Sequence, residues 1–131
     1  MAANYCSLSM ESLLHITGPD TLTFLQGQTT CDTGEVSAER AVPGAYCTPQ
    51  GRMICDFMLV QLGQDHFALR MRHDTVAAAA AAFGKYIMFS KAELDAARDD
   101  WTVIACWGDD SKSALQGLGF SVTSRQYGAA S

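Results

Sequence analysis

One carboxylate, Asp56, interrupts a run from 53 to 62 that is otherwise apolar on both alternating faces, apart from Gln61 near its end. Met53, Cys55, Phe57 and Leu59 lie on one face, and Ile54, Asp56, Met58, Val60 and Leu62 on the other. The pattern reads as a strand covered on both sides, in which a carboxylate is expected to be partly buried. It then needs donors from its own fold, a cavity to line, or neutralisation. Two readings follow. Asp56 is a structural aspartate held by backbone amides or Arg52, or it lines a cavity.

Other residue types with reactive potential carry weaker patterns. The cysteines stand at 6, 31, 47, 55 and 106, with no C-x-x-C pair, and read as reduced side chains; Cys31, Cys47 and Cys55 are expected to pack as small apolar groups. His15, His66 and His73 are expected on different elements and registers, so no metal centre is predicted. Neither a G-x-S-x-G elbow nor a phosphate loop is present.

The elements that position Asp56 follow from turn chemistry. Pro49 presets the first central position of a type I turn, and Gly51 supplies the left-handed residue of a three-residue loop with a bulge. Residues 41–48 and 53–62 therefore form a hairpin. Gly63-Gln64-Asp65 makes the next turn, and 66–72 alternates again, with Phe67, Leu69 and Met71 opposite His66, Ala68, Arg70 and Arg72. These strands make a meander.

Upstream, 13–16 reads as a short strand closed at Gly18, with Pro19 opening a helix that buries Leu22, Phe24 and Leu25 and stops at Gly27. Downstream, Asp74 is placed to cap a helix through Val76 and the alanines 77–82, ending near Phe83 or Tyr86. Residues 85–91 are expected to be extended, 101–107 a buried strand, 111 or 112 to 116 a helix, and 120–123 a further short strand. The tail 128–131 is expected to be loose. The order predicts an α+β fold with a mixed, mainly antiparallel sheet and helices on one face.

With 131 residues, 48% apolar content and a net charge of -5, the chain suits a globular core and lacks the basic cluster of a duplex-binding protein. No run approaches the roughly 20 apolar residues that span a bilayer, and the first residues lack a basic signal-peptide region. A cytoplasmic, membrane-free protein is expected.

Four strings, in order over nearly the whole chain, carry a family resemblance: Ile16-Thr17-Gly18-Pro19-Asp20, Phe24-Leu25-Gln26-Gly27-Gln28-Thr29-Thr30-Cys31-Asp32, the 44–57 hairpin, and Lys85-Tyr86-x-x-Phe89-Ser90-Lys91. Together they resemble the YgfZ/GcvT superfamily. It contains the glycine-cleavage T-protein, a tetrahydrofolate-dependent aminomethyltransferase. It also contains the YgfZ branch of folate-binding proteins that support iron-sulfur cluster maintenance and tRNA modification. Leu25-Gln26-Gly27-Gln28 and the Lys85 string resemble the YgfZ branch more closely.

The resemblance implies a tetrahydrofolate-type ligand with no metal. Asp56 matches the carboxylate that sits against the folate and assists one-carbon transfer. Arg72 matches a position bordering the folate, where it would meet a carboxylate of the folate tail; read alone, it is a solvated strand-end charge. The Lys-Gly-Cys-Tyr-x-Gly-Gln-Glu signature of full YgfZ proteins is absent here, so its cysteine chemistry is not carried onto any cysteine of this chain.

By the same resemblance, 1–100 corresponds to one half of a duplicated folate-binding domain and 101–131 to the opening strand-helix-strand of the second. An apolar face around Trp101, Val103 and Trp107 is then left uncovered, and a homodimer is expected in which a second copy replaces the other half. Three outcomes are implied: a folate-binding YgfZ-like module, an aminomethyltransferase, or a remnant that folds and binds nothing.

Overall fold

The computed structural model describes residues 2–130; Met1 and Ser131, the latter part of the expected loose tail, lie outside the described residues. Its centre is the expected meander: β3 (Val42–Cys47), β4 (Met53–Gly63) and β5 (His66–Arg72) pair antiparallel in sequence order. The hairpin turn is built as its residues dictate. Gly51 takes φ +85°, its N–H bonds to the Thr48 carbonyl at 2.8 Å, and a register shift falls between Tyr46 and Cys47. That shift is the bulge expected of a left-handed residue in a three-residue loop.

β2 (Glu11–Thr17) adds to the open edge of β5, and β6 (Glu93–Asp95) adds to β2, giving a five-stranded sheet in the order β3-β4-β5-β2-β6. Leu14, Ile16, Phe57, Leu59, Phe67, Leu69 and Met71 face a core closed by α1 (Thr21–Gln28) and α2 (Val76–Gly84). Phe83 contacts both Phe24 and Tyr46 edge-on, with ring centroids 5.9 and 4.4 Å apart. On α2, Val76, Ala79 and Phe83 are buried at helical spacing while Ala77, Ala78 and Ala81 face solvent. The small Ala79 admits the helix backbone close to the sheet.

The fold is therefore α+β with helices on one face of the main sheet. Several element boundaries differ from expectation. Asp20, not Pro19, immediately precedes α1, its carboxylate accepting from the Lys91 N–H at 2.9 Å. The helix passes through Gly27 to Gln28 because Thr29 Oγ1 and its N–H both donate to the Leu25 carbonyl. Asp74 does not cap α2. Its carboxylate pairs with Arg72 instead, and a 3-10 turn over His73–Thr75 leads into the helix. Residues Ile87–Phe89 form another 3-10 turn rather than an extended segment.

The C-terminal region departs furthest. The strand expected over 101–107 is β7 (Ile104–Trp107), and among the described residues it pairs only with β1 (Asn4–Ser7), a strand without a strong pattern of its own. With one partner and α3 (Ser111–Gly117) on one side, β7 is mostly exposed instead of buried. Residues 120–123 form no strand. The segment before Ser131 is anchored rather than loose: the Ala41 N–H bonds to the Tyr127 carbonyl at 2.8 Å and the Ala129 N–H to the Glu39 carbonyl at 2.7 Å.

Candidate functional site

Register places the chemistry on the outer face of the five-stranded sheet, opposite the helices. Cys55, Phe57 and Leu59 point into the core, so Asp56, Met58 and Val60 point out. On β5 the outward residues are Ala68, Arg70 and Arg72, and on β2 they are Glu11, Leu13 and His15. Met58 pairs with Arg70, and Glu11 pairs with Arg72. Asp56 and Arg72 lie two residues beyond the Met58–Arg70 pair, at the same end of the sheet. Here the face carries a row of charges above an apolar stripe.

A shallow cleft of about 300 Å³ gathers these groups, lined by Glu11, Gly44, Asp56, Met58, Arg70 and Arg72 among others. The two residues predicted from sequence, Asp56 and Arg72, are thus brought to one place. Their environments differ from expectation. Asp56 is exposed rather than partly buried: among the described residues no layer covers this end of the outer face, and no hydrogen bond or ion pair from Arg52 or a backbone amide holds its side chain. Arg72 is also exposed and gives its guanidinium to Asp74 at 3.1 Å.

Glu11 and Arg70 complete the cleft and were not identified from the sequence. Alternation along 66–72 already put Arg70 on the same face as Arg72. Glu11 had no such signal, since it enters only through the pairing of β2 with β5. Gly44 lines the cleft with its backbone and shares the core face with Phe57, its partner on β4: a side-chain carbon there would point inward and fall 2.8 Å from Cys31 Cβ and 2.9 Å from Phe57 Cζ. Glycine lets β3 approach those groups.

A second polar cluster corrects the reading of the histidines. His15 and His66 are diagonal neighbours on β2 and β5, and His15 Nδ1 lies 3.0 Å from His66 Nε2. His15 is 1% exposed, and the Trp101 ring covers it at 5.7 Å. Burial, reinforced by the positive charge of Arg98 and by the neighbouring His66, holds the His15 imidazole below its ordinary pKa of 6.5. His73 is separate, its Nδ1 2.7 Å from Ser12 Oγ. Among the described residues, no three His, Cys, Asp or Glu side chains gather as a metal centre would require.

Of the cysteines, Cys31 and Cys55 are buried and Cys47 is half-buried, in keeping with packing roles, whereas Cys6 and Cys106 are exposed on the β1–β7 pair. Burial raises the Cys55 thiol pKa, which keeps it protonated and unreactive. No helix among the described residues is long and apolar enough to cross a membrane.

Comparison with known proteins agrees with this architecture. The GCVT N-terminal domain family matches residues 2–130. The tRNA-modifying protein YgfZ of Sodalis glossinidius is 34% identical over 116 residues, which is 88% of this chain and 35% of that protein. YgfZ of Cronobacter sakazakii is 34% identical over 109 residues, covering 83% of this chain and 32% of the relative. The chain thus spans about a third of the length of these relatives. The crystal structure of glycine cleavage system aminomethyltransferase T from Bartonella henselae superposes with a TM-score of 0.74 at 16% identity, over 89% of this chain and 32% of that one, a likeness of fold. The matched family, the length of the match and the shared fold lead to one conclusion: the chain belongs to the GCVT N-terminal domain family and is of the YgfZ/GcvT type.

Proposed function

We propose that the outer-face cleft binds a tetrahydrofolate-type ligand, and that the chain serves as the folate-binding part of a YgfZ-like activity that supports tRNA modification and iron-sulfur cluster maintenance. The observation that carries this reading is the convergence of Asp56, Arg70 and Arg72 beside the apolar Met58, with Val60 next on the same face of β4. An apolar stripe suits the faces of a flat ring. The guanidinium of Arg70, with no carboxylate partner among the described residues, suits a ligand carboxylate, and Arg72 would reach it by exchanging Asp74 for the ligand. Asp56 suits a ring nitrogen that carries hydrogen.

Binding is favoured over one-carbon transfer by the openness of the site. A carboxylate assists proton or iminium chemistry most where water is excluded, and Asp56 is exposed. Calorimetric titration with tetrahydrofolate and with its five-formyl derivative tests the proposal, on the natural chain and on Asp56→Asn. Binding that Asp56→Asn weakens by about tenfold is expected, the scale of a lost hydrogen bond to a charged group. Heat from neither ligand would leave a remnant that folds and binds nothing. Turnover of a methylene donor would establish the transferase.

A homodimer is part of the same reading. An apolar groove of about 660 Å³ runs between β1, β7, α3 and residues 120–122, with Tyr5, Ile104, Leu118 and Phe120 exposed along it. A two-stranded ribbon is marginal by itself, and its open edges accept further strands. A second copy offers the same edges and the same apolar groove in return.

A further inference from the structure

Residues 96–102 form a strap over the outer face that the rest of the fold holds lightly. β6 fixes one end, and the Val103 carbonyl, accepting from the Leu8 N–H at 2.8 Å, fixes the other. Between these ends, among the described residues, the hydrogen bonds of the strap are local. The Ala97 N–H donates to the Asp95 carboxylate, and the Arg98 guanidinium donates to both oxygens of Asp100 at 2.6 and 3.0 Å. A cleft of about 360 Å³ separates the strap from Leu13 and His73. Contact with the sheet falls to Trp101, whose ring lies against His15 with the Arg98 guanidinium 5.9 Å from its centre.

That contact rests on an imidazole pair with one shared hydrogen. His15 Nδ1 and His66 Nε2 face each other at 3.0 Å, so the bond survives a single charge on the pair and fails when both rings are charged. Two N–H groups then meet head-on, and a charged His15 is left under Trp101 with no partner at Nε2. The surrounding charges come from three sides. On β5 stand His66 and, further along the same face, Arg70; on β6 stand Asp95, directly opposite His15, and Glu93; the strap itself carries Arg98, Asp99 and Asp100. Arg98 opposes a charge on His15, while Asp95 and Asp100 favour it. Both of those carboxylates already accept other donors, Asp95 from Ala97 and Asp100 from Arg98. Water is the remaining acceptor, and it reaches His15 only when Trp101 lifts.

We propose that the strap is a proton-operated latch: Trp101 stays seated on the His15–His66 pair until both imidazoles are protonated, and then swings away with residues 96–102 while the five-stranded sheet stays folded. A segment with so few bonds to its surroundings opens at lower cost than the core beneath it. Glu11 lines both the space under the strap and the outer-face cleft, so release joins the two. The latch does not depend on what that cleft binds.

The test follows Trp101 with pH. Trp107→Phe leaves Trp101 as the sole tryptophan of the full chain. Because that ring is already 44% exposed, its quenching by acrylamide should rise by about twofold from pH 7.5 to 4.5. The midpoint should lie below 6.5, and the far-ultraviolet circular dichroism should not change. Adding His15→Gln should hold quenching constant over the range. Should that variant misfold, ring-proton resonances of the Trp107→Phe protein decide the matter, since the titration of His15 and the quenching curve should share one midpoint. Flat quenching in the folded Trp107→Phe protein would overturn the latch, as would a rise that persists in folded His15→Gln. A rise that comes only with loss of the circular dichroism signal, or separate midpoints for His15 and Trp101, would overturn it too.

Discussion

His15 Nδ1 and His66 Nε2 share a single hydrogen bond of 3.0 Å across β2 and β5, under the ring of Trp101. One imidazole must donate and the other accept, so the bond exists only while at least one ring is neutral. The buried His15 is the ring that resists charging, because its Nε2 has no partner to receive a second N–H and Arg98 adds positive charge nearby.

Acid should therefore destabilise the fold through this pair. The folded-state pKa of His15 lies below the unfolded value of 6.5, so the unfolded chain binds the extra proton first as pH falls. The contribution of a neutral His15 is complete above that value and is lost progressively as pH drops from 6.5 toward the lowered folded value. Asp95 and Asp100 oppose the shift and moderate it. Urea midpoints measured from pH 7.5 to 5 should fall, and His15→Gln should flatten the slope. Equal slopes in the two proteins would exclude His15 as the source.

Gly44→Ala should destabilise the chain by about 1–3 kcal/mol, the cost of forcing a methyl group against Cys31 and Phe57. Gly27→Ala is the contrasting substitution. It lies within α1 with open space around the added carbon, and should gain about 0.5–1 kcal/mol from helix propensity. Equilibrium denaturation of both variants measures the difference, and a Gly44→Ala protein as stable as the parent would contradict the close approach of β3.

Thiol labelling should divide the cysteines by depth. Cys6 is exposed and outside the groove and should react readily with a disulfide reagent, Cys106, which lines the groove, should react as readily only in the monomer, and Cys31 and Cys55 should wait for unfolding or local opening. Fast reaction at Cys55 would show that the core face of β4 opens readily.

Self-association is expected from the groove beside β7. Sedimentation velocity at micromolar concentration should show a dimer, and Ile104→Glu combined with Phe120→Asp should convert it to monomer with an unchanged circular dichroism spectrum. A single monomeric species for the natural chain would end the dimer proposal.

The local code of this protein was legible in the sequence wherever one interaction dominated. Pro49 and Gly51 specified the hairpin loop, alternation specified the faces of β4 and β5, and the alanine run specified α2, because each depends on neighbours a few residues away. The four family strings likewise carried the family. What tertiary structure alone decided was depth and company. Asp56 looked partly buried because its strand is apolar on both faces, but burial depends on whether a second layer covers the sheet, and none covers that end. Glu11 joined the cleft, and His15 met His66, only through the antiparallel register of β2 against β5, which brings together residues 49 to 61 positions apart. Such register is set by the whole buried face at once, since a slip of one residue would turn Leu14 and Ile16 out of the core.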